Sequence, residues 1–557
     1  MLLSGSDILV KTLIEQGCDT VFGYPGGQIL NVYDSLYQYQ NEINHVLTAH
    51  EQGAAHAADG YARTTGKVGV VISTSGPGAT NLVTGIATAY LDSIPMVAIC
   101  GNVPTTQIGT DSFQEIDITG VTLPITKHNY FVGDVSELAD TIREAFQLAK
   151  SGRPGPVLID IPKDVQIAEC EYEPQPPVRK NESFAAKDVR IAEAAEIINL
   201  AKRPFLYFGG GVIAADAADE VLALAEKIDA PIGCSLMGLS GIPTDHPRFL
   251  GMQGMHGHYA SSMSMHHADV ILSLGVRFND RVTGNRMKFA AGARIVHIDV
   301  DGSELNKTIN SVCSLRGDVK LTLQKLLPLL KAGRKPEWMA RVQAFRSEEE
   351  GFLDHREGLT PRRAILTLNK HLGANTAVCT DVGQHQMWAA QSLYFQNARR
   401  FASSGGLGTM GYGFGAAIGA AYGTGERSVL VTGDGSFGMN LNELATAVRY
   451  NIPVVVIIMN NGVLGMVRQW QTLFYDKHYS NSVLERKTDF AAFARAFGAD
   501  GEAVTTPEEL DMALARAFET EGPYIIDCKI DKDEFVLPML PPGGSMDDII
   551  TKLEVEG

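Results

Sequence analysis

The sequence lacks the features that would indicate an exported or membrane-bound protein. Its seven cysteines form no Cys-x-x-Cys pair, so neither a zinc knot nor a disulfide framework is predicted. No apolar run approaches the roughly 18 residues of a membrane-spanning helix. Residues 1–17 run directly into a helical pattern, so we expect no export signal. We therefore expect a cytoplasmic protein in a reducing compartment.

Basic residues are also scarce relative to acidic ones. The chain has 47 lysines and arginines against 64 aspartates and glutamates, which gives a formal net charge of −17. This charge disfavours nucleic acid or an anionic membrane as a main partner. Anionic small molecules remain possible ligands, because they need only a local cationic pocket.

Short β-branched runs alternate with amphipathic helical segments along most of the chain. Continuous apolar strands of this kind are typical of parallel sheets that are covered on both faces. The predicted strands are residues 68–72, 96–100, 157–161, 205–208, 270–274, 295–298, 429–432 and 454–459. The predicted fold class is therefore α/β, and 557 residues are too many for a single core.

Two stretches interrupt this rhythm and are interpreted as linkers. Residues 169–187 contain Glu-Pro-Gln-Pro-Pro and few apolar side chains, and residues 331–360 are strongly charged. They divide the chain into three predicted domains, each of a size that suits one doubly wound parallel sheet. The predicted domains are residues 1–168, 188–332 and 360–557.

An acidic turn and an amide pair lie 27 positions apart, counted from Asp434 to Asn461. A Mg²⁺ ion that bridges a diphosphate prefers oxygen ligands and usually takes only one or two protein carboxylates. Asp434, the side-chain oxygen of Asn461 and the main-chain carbonyl of Val463 are the candidate ligands. An ordinary strand-to-helix turn is the alternative, since Gly-Asp-Gly is common in α/β proteins. The neighbours suited to phosphate contacts are Gly433, Gly435 and Ser436.

Glu51 follows a predicted strand at residues 45–47 and begins a helix of small residues. A carboxylate in this position most often caps the helix. Alternatively, a buried carboxylate could face an aromatic nitrogen base and hold a proton in a strong hydrogen bond. The glycine-rich loops at residues 24–27 and 73–81 could line one pocket with Glu51, because such loops bind ligands in open parallel sheets.

Residues 405–413 form a third glycine-rich string. A nicotinamide fingerprint is a weak interpretation, because no suitable acidic residue follows at the usual distance. Close helix packing beside a cofactor is the better one. Met410 would then offer a large, soft side chain that braces a bent ligand.

Together these strings resemble the thiamine diphosphate enzymes, and among them the catalytic subunits of the acetohydroxyacid synthase (acetolactate synthase) family. The resemblance covers nearly the whole chain. The strings that carry it are residues 22–27, 50–53, 74–81, 113–115, 151–157, 162–164, 381–388 and 465–470.

The resemblance implies bound thiamine diphosphate and Mg²⁺, with Asp434, Asn461 and Val463 as the metal ligands. Glu51 matches the carboxylate that hydrogen-bonds the aminopyrimidine ring. Met410 matches the residue that enforces the folded cofactor, whose own amine then acts as the base. Further implied cofactor contacts are Gly383, Gln384, His385, Gly433, Gly435, Ser436 and Met466.

The family decarboxylates pyruvate and joins the resulting hydroxyethyl carbanion to a second 2-keto acid. Pyruvate as acceptor gives 2-acetolactate, and 2-ketobutyrate gives 2-aceto-2-hydroxybutyrate, the first common step of valine, leucine and isoleucine synthesis. Trp470 matches the residue that favours 2-ketobutyrate, since an indole wall rewards one methylene by about 1 to 3 kcal/mol. Gly27, Gln114 and Lys163 match positions in the substrate channel. Packing or surface exposure is the alternative for each.

Central segments resemble the FAD-binding parts of the flavin-containing synthases, in which the flavin is not needed for electron transfer in the reaction. Arg281 is also suited to pair with the carboxylate of the second keto acid. Asn279 and Gly415 depart from the family pattern, which has aspartate and proline there. The implied FAD contacts are Arg153, Gly209, Gly210, Gly211, Met255, His256, Gly275, Arg277, Arg281, Asp299 and Asp318.

The resemblance also implies a homodimer or homotetramer, because the first domain of one subunit meets the third domain of another at each active site. A small regulatory subunit is usual in bacterial members. Four alternatives stand beside this hypothesis: a pyruvate oxidase, a flavin-free catabolic acetolactate synthase, a glyoxylate carboligase and a nucleotide-binding regulatory or scaffold protein. The glutamate at position 51 opposes the carboligase, whose family lacks it.

Overall fold

The computed structural model describes residues 1–179 and 183–552. The chain divides into two compact units. The first consists of Met1–Asn181, Thr376–His385 and Ala402–Lys529, and the second of Glu182–Asn375, Gln386–Phe401 and Ile530–Gly557. Among the described residues, no helix combines the length and the apolar character that crossing a bilayer would require.

The first segment of the chain forms a six-stranded parallel sheet flanked by helices. Its strands are β1 (Leu2–Ser4), β2 (Thr20–Gly23), β3 (Asn44–Leu47), β4 (Gly69–Ser73), β5 (Met96–Asn102), β6 (His128–Phe131), β7 (Pro156–Pro162) and β8 (Glu169–Glu171). Its helices are α1 (Gly5–Glu15), α2 (Leu30–Gln38), α3 (Glu51–Thr65), α4 (Pro77–Asn81), α5 (Val83–Asp92), α6 (Ile118–Thr122), α7 (Leu138–Lys150) and α8 (Lys163–Ile167). The sheet order is β3-β2-β4-β5-β7-β6, and β1 pairs antiparallel with β8 outside it.

The central segment forms a second six-stranded parallel sheet. Its strands are β9 (Pro204–Phe208), β10 (Ile232–Cys234), β11 (Phe249–Met252), β12 (Val270–Leu274), β13 (Arg294–Asp299) and β14 (Cys313–Arg316). Its helices are α9 (Asp188–Asn199), α10 (Gly210–Ala215), α11 (Ala218–Ile228), α12 (Tyr259–His267), α13 (Asp280–Thr283), α14 (Val319–Leu326) and α15 (Pro336–Glu350). The order is β11-β10-β9-β12-β13-β14.

The last segment forms the third six-stranded sheet. Its strands are β15 (Ala377–Thr380), β16 (Phe401–Ser403), β17 (Ser428–Gly433), β18 (Val454–Asn460), β19 (Asp500–Val504) and β20 (Tyr524–Lys529). Its helices are α16 (Pro361–Asn369), α17 (Gln384–Ser392), α18 (Gly413–Thr424), α19 (Asp434–Asn440), α20 (Leu444–Arg449), α21 (Gly465–Phe474), α22 (Phe490–Phe497) and α23 (Pro507–Glu519). The order is β16-β15-β17-β18-β20-β19.

The predicted α/β class with three parallel sheets is confirmed. The eight predicted apolar strands and the strand predicted at residues 45–47 are all present, each within two residues of its predicted ends. They were recognisable because both faces are covered: residues 454–459 of β18 are entirely buried, so the run is apolar throughout instead of alternating.

The interpretation of residues 331–360 as a linker is wrong for the part that forms α15. Trp338, Val342 and Phe345 are buried at helical spacing, and the indole nitrogen of Trp338 donates to the carbonyl of Pro204 at 3.0 Å. The charged residues of the same stretch occupy the other positions of the helix and conceal this stripe in the sequence. Part of the first interpreted linker is also ordered, since β8 falls within it.

Within the first unit, α3 packs closely on α18. A Cβ atom on Gly60 would lie 2.1 Å from the carbonyl oxygen of Ala416, and one on Gly419 would lie 1.8 Å from that of Ala57. Backbone therefore lies directly on backbone, which only glycine permits. This contact joins the helix that begins at Glu51 to the third sheet.

Candidate active site

Glu51 is the first residue of α3, but it does not cap the helix. The preceding His50 has extended backbone, and its Nδ1 accepts a hydrogen bond from the amide of Gln52 at 3.0 Å. His50 is therefore the N-cap, which leaves the Glu51 carboxylate available. Its Oε2 accepts from Nδ2 of Asn81 at 2.9 Å.

The two glycine-rich loops of the first sheet meet at Thr74, near Glu51. The loops leave the carboxyl ends of the neighbouring strands β2 and β4. Thr74 Oγ1 accepts from the amide of Gln28 at 3.2 Å, and a Cβ atom on Gly26 would lie 2.4 Å from its methyl group. A Cβ atom on Gly78 would lie 2.8 Å from the same methyl and 3.2 Å from Glu51 Oε1. The structure thus brings both loops and Glu51 together.

Gln114 and Lys163 lie at the same edge of this sheet. Gln114 has a left-handed backbone (φ 64°) and lies over Gly76. A Cβ atom on Gly76 would lie 2.9 Å from the Cβ of Gln114. Such a conformation is strained for a non-glycine residue, and such strain clusters at functional sites. Lys163 Nζ donates to the carbonyl of Gly27 at 3.1 Å.

Asp434 and Asn461 leave the third sheet side by side. β17 and β18 are neighbouring parallel strands with Gly433 opposite Met459, so the residues that follow them share one edge. Asn461 Oδ1 accepts from the amide of Val463 at 3.1 Å. Burial raises the pKa of Asp434 to about 6, and within the described residues its buried Oδ1 has no hydrogen-bond partner.

This geometry fits a divalent cation. A buried carboxylate oxygen without a partner is costly, and a metal ion would satisfy it. The candidate ligands are all hard oxygen donors, namely one carboxylate, one side-chain amide oxygen and one main-chain carbonyl. Such a set suits Mg²⁺ in a site that phosphate and water oxygens would complete.

His385 lies beside this edge, between two glycines. A Cβ atom on Gly433 would lie 2.8 Å from His385 Nδ1, and one on Gly383 would lie 2.7 Å from its Cε1. Burial lowers the pKa of His385 to about 3, so the ring is neutral near pH 7. Its Nε2 is buried and lacks a hydrogen-bond partner in the described part of the chain. Ser436 Oγ donates to the carbonyl of Val382 at 2.9 Å.

The string of residues 405–412 is fastened to the helices of the first sheet. Asp92 accepts from the amides of Gly405 and Gly406 at 3.0 and 2.7 Å, and the hydroxyls of Thr88 and Thr409 lie 2.8 Å apart. The terminal carbon of Met410 reaches within 3.9 Å of a Cβ position on Gly435, at the start of α19. Met410 is therefore near Asp434.

Behind this string lies a buried ion cluster of Arg63, Asp59 and Asp92. Arg63 contacts Asp59 at 2.5 Å and Asp92 at 2.8 Å, and all three side chains are buried. Asp59 also accepts from the hydroxyl of Tyr412 at 2.7 Å. The string that carries Met410 is thus held at both ends by α3 and α5.

The specificity candidate Trp470 and the cofactor candidate Met466 lie on α21. A Cβ atom on Gly465 would lie 2.0 Å from Oε1 of Gln384, so the start of α21 lies against α17, and Gln384 Nε2 donates to Gln469 at 3.0 Å. Met466 and Trp470 are half-buried. The Trp470 ring meets Phe474 edge-on at 5.5 Å, so the indole is not a core residue.

In the second unit, the FAD candidates form two groups. Gly211 and Gly275 lie in backbone contact, since a Cβ atom on Gly211 would come 2.6 Å from the Cα of Gly275. The Met255 amide donates to the carbonyl of Arg281 at 2.6 Å, and Arg281 Nη1 lies 3.6 Å from Met255 Sδ. Burial lowers the pKa of His256 to about 4, and its Nδ1 has no hydrogen-bond partner among the described residues.

The remaining candidates of this unit have local roles. Asp318 is the N-cap of α14 and accepts from the amide of Leu321 at 3.1 Å, and Asp299 accepts from that of Asp301 at 2.8 Å. Asn279 is exposed at the N-cap position of α13 and makes no side-chain cap bond. Gly209 lies between β9 and α10, Gly210 is the first residue of α10, and Arg277 is half-buried after β12.

Arg153 belongs to the first unit, where its Nε donates to Ser93 Oγ at 2.7 Å. Gly415, the second departure from the family pattern, lies on α18 against the start of α3. A Cβ atom there would lie 2.6 Å from the carbonyl oxygen of Gly53.

Several residues at the site were not identified from the sequence. Asn81 ends the glycine-rich loop at residues 73–81, whose sequence predicts a ligand-binding loop but no contact between Asn81 and Glu51. Asp92 and Thr88 carry no local pattern, and their contacts with residues 405–409 span more than 300 positions. Only the folded chain brings these residues together.

Known protein families match all three segments of the chain. The model described as the N-terminal TPP binding domain of thiamine pyrophosphate enzymes matches residues 3–121. Those of the central domain and the C-terminal TPP binding domain match residues 191–326 and 381–528. The fold and its three segments are thus those of a thiamine pyrophosphate (thiamine diphosphate) enzyme.

Similar curated proteins identify the family within this class of enzymes. The chain is 44% identical to the probable acetolactate synthase large subunit of Methanocaldococcus jannaschii, with 100% of this chain and 96% of that protein covered. It is 43% identical to the acetolactate synthase isozyme 2 large subunit of Escherichia coli, with 99% and 100% covered. The large subunit from Corynebacterium glutamicum is 44% identical, with 98% and 90% covered. The chain belongs to the family of acetolactate synthase large subunits, as its motifs predicted.

Proposed function

We propose that the protein joins two pyruvates into 2-acetolactate with release of carbon dioxide, and that it forms 2-aceto-2-hydroxybutyrate when 2-ketobutyrate is the acceptor. The reaction would be the first common step in the synthesis of valine, leucine and isoleucine, in the cytoplasm. The observation that carries the proposal is the position of the Glu51 carboxylate. It does not cap α3, because His50 does so, and it accepts a hydrogen bond from Asn81 at the loop edge of the first sheet.

Asp434, Asn461 and the Val463 carbonyl would hold Mg²⁺, and this assignment is supported by Oδ1 of Asp434, for which the described residues supply no hydrogen-bond partner. When bound, thiamine diphosphate supplies the electron sink that decarboxylation of a 2-keto acid requires. The residues proposed to contact it are Gly383, Gln384, His385, Gly433, Gly435, Ser436 and Met466, in addition to Glu51 and Met410.

Each side chain has a distinct proposed task. Glu51 would hold the proton at the aminopyrimidine nitrogen, where general acid–base groups typically contribute about 10²- to 10⁴-fold. Met410 would brace the cofactor, because its string is fastened by Asp92 and Thr88. Gly27, Gln114 and Lys163 would line the substrate channel, with Lys163 supplying the local positive charge that a keto acid needs.

We further propose that the second unit binds FAD without using it for electron transfer. Three observations support this assignment: the glycines at the start of α10 (Gly209–Gly211), the Met255–Arg281 pair, and the Nδ1 of His256, which has no hydrogen-bond partner in the described part of the chain. The other proposed contacts are Arg153, Gly275, Arg277, Asp299 and Asp318.

A homodimer or homotetramer is proposed, with Glu51 of one subunit facing the metal of another. Within one chain, the Glu51 carboxylate turns towards Asn81 and Gly78 on its own sheet. A small regulatory subunit is a further proposed partner, because the relatives are named as large subunits.

A product assay tests the proposal. The purified protein is incubated with pyruvate, thiamine diphosphate and Mg²⁺, and the products are separated. Acetolactate from the parent and its loss in Glu51→Gln support the proposal. Acetate would indicate a pyruvate oxidase, and no turnover would indicate a protein that only binds nucleotide-like ligands.

A further inference from the structure

Glu443 is a buried acid to which the proposed function assigns no task. It ends the short 3-10 helix Leu441–Glu443, which follows α19, and its side chain is fully buried. Oε2 accepts from the hydroxyl of Thr446 at 2.7 Å and from the amide of Ala49 at 3.2 Å. Oε1 has no hydrogen-bond partner among the described residues.

This carboxylate lies against the beginning of α3. Ala49, which donates to it, stands two residues before Glu51. A Cβ atom on Gly53 would lie 2.1 Å from Glu443 Oε1, so only glycine at position 53 lets the carboxylate approach the first turn. The Glu443 side chain therefore contacts the backbone at the start of the helix that carries Glu51.

The arrangement is costly for folding and so requires an explanation. A buried carboxylate loses its hydration, and this burial raises the pKa of Glu443 to about 7. An apolar residue of similar size would fill the space without this cost. What an apolar residue cannot supply is an acceptor for the backbone donor in front of Glu51.

We propose that Glu443 is a positioning residue for Glu51: by accepting the Ala49 amide and packing on Gly53, it fixes the start of α3 and so the direction of the Glu51 carboxylate. The inference rests on the proposed role of Glu51. Glu443 itself touches neither substrate nor cofactor. Its effect passes through two backbone positions and the Glu51–Asn81 hydrogen bond.

Three variants separate positioning from packing. Glu443→Ala removes the acceptor and leaves a cavity. Glu443→Gln keeps the size and an acceptor oxygen. Thr446→Val is the matched control, because it removes a side-chain donor to the same carboxylate but leaves the Ala49 contact in place.

The first readout is amide hydrogen exchange of residues 49–53 in the protein without cofactor. Exchange should be about tenfold faster in Glu443→Ala, because local opening is no longer opposed by this hydrogen bond. It should stay within about threefold of the parent in Glu443→Gln and in Thr446→Val. Unchanged exchange in Glu443→Ala would overturn the inference.

The second readout is hydrogen–deuterium exchange at C2 of the thiazolium ring in the complex with thiamine diphosphate and Mg²⁺. This rate reports on Glu51 without requiring a substrate. It should fall about tenfold in Glu443→Ala while cofactor affinity, measured by calorimetry, changes less than about threefold. Glu443→Gln should restore most of the rate. A rate in Glu443→Ala equal to that of the parent would refute the inference.

Further outcomes distinguish this inference from the proposed function. If Glu51→Gln leaves C2 exchange unchanged, the proposed role of Glu51 and the inference fail together. If C2 exchange is normal in the parent but no acetolactate forms, only the proposed product is wrong. Should Glu443→Ala not fold, Glu443→Asp replaces it, since the shorter side chain withdraws the carboxylate from Ala49. Parent-like C2 exchange in Glu443→Asp would then contradict the inference.

Discussion

The carboxylate of Glu51 and the side-chain amide of Asn81 form a 2.9 Å hydrogen bond between the first residue of α3 and the last residue of α4. The two helices begin in loops that follow β3 and β4, which lie on either side of β2 in one sheet. The bond therefore selects one direction for a carboxylate that would otherwise be free to rotate. Its removal should affect catalysis more than cofactor binding.

We expect Asn81→Ala to lower kcat for acetolactate formation by about tenfold, the loss that accompanies one charge-assisted hydrogen bond. Thiamine diphosphate affinity should remain close to that of the parent, because the proposed phosphate contacts lie on the third sheet. Steady-state kinetics and calorimetry measure the two quantities. A variant that loses affinity and keeps kcat would contradict this assignment.

Asp434→Asn should make the cofactor-free protein more stable but weaken its binding of the cofactor. One oxygen of the buried carboxylate has no hydrogen-bond partner among residues 1–179 and 183–552, so the amide should raise the free energy of unfolding of the cofactor-free protein by about 1 to 3 kcal/mol. Mg²⁺-dependent binding of thiamine diphosphate should weaken by about 100-fold or more. Urea unfolding and calorimetry give both values. If the variant is less stable and still binds the cofactor, Asp434 is not the metal ligand.

The raised pKa of Glu443 predicts a pH dependence of stability. Burial raises this pKa from 4.5 to about 7, so the folded protein binds the proton more tightly than the unfolded chain does. The resulting stabilisation is fully present below pH 4.5 and is lost as the pH rises through about 7.

Relative to Glu443→Gln, the parent should therefore lose on the order of 3 kcal/mol of unfolding free energy between pH 5 and pH 8. Denaturant titrations of both proteins at several pH values measure the difference. Other buried carboxyls, such as Asp160 and Asp434, cancel because both proteins contain them. A constant difference would show that Glu443 does not titrate in this range.

Arg63→Met should destabilise the protein strongly. The substitution leaves the buried Asp59 and Asp92 without their cation, which typically costs about 3 to 5 kcal/mol. The matched control is Lys67→Met, which removes an exposed ion pair with Asp19 and should cost about 1 kcal/mol or less. Urea unfolding compares the two. Equal losses would show that the buried cluster contributes no more than a surface pair.

The sequence predicted most of the sheets because their strands are buried on both faces and therefore continuously apolar. It did not predict α15, in which three buried residues are separated by charged ones. The candidate metal ligands could be predicted from the sequence because two neighbouring strands, β17 and β18, each end in a recognisable string. The contact of Glu443 with α3 could not be predicted, because its partner Ala49 lies 394 positions away in the sequence. A single glutamate before a helix also forms no recognisable motif.

Trp470→Leu should reduce the preference for 2-ketobutyrate as acceptor. The indole is half-buried on α21 and is not part of the core, so it can form one wall of a substrate pocket. A wall that rewards one methylene by about 1 to 3 kcal/mol corresponds to a specificity ratio of about 10 to 200. Competition between pyruvate and 2-ketobutyrate, with both products quantified, measures this ratio directly. Phe474→Leu is the control, because it alters the neighbouring ring and leaves the indole in place, and it should change the ratio by no more than about twofold. An unchanged ratio in Trp470→Leu would assign acceptor choice to other residues of the channel.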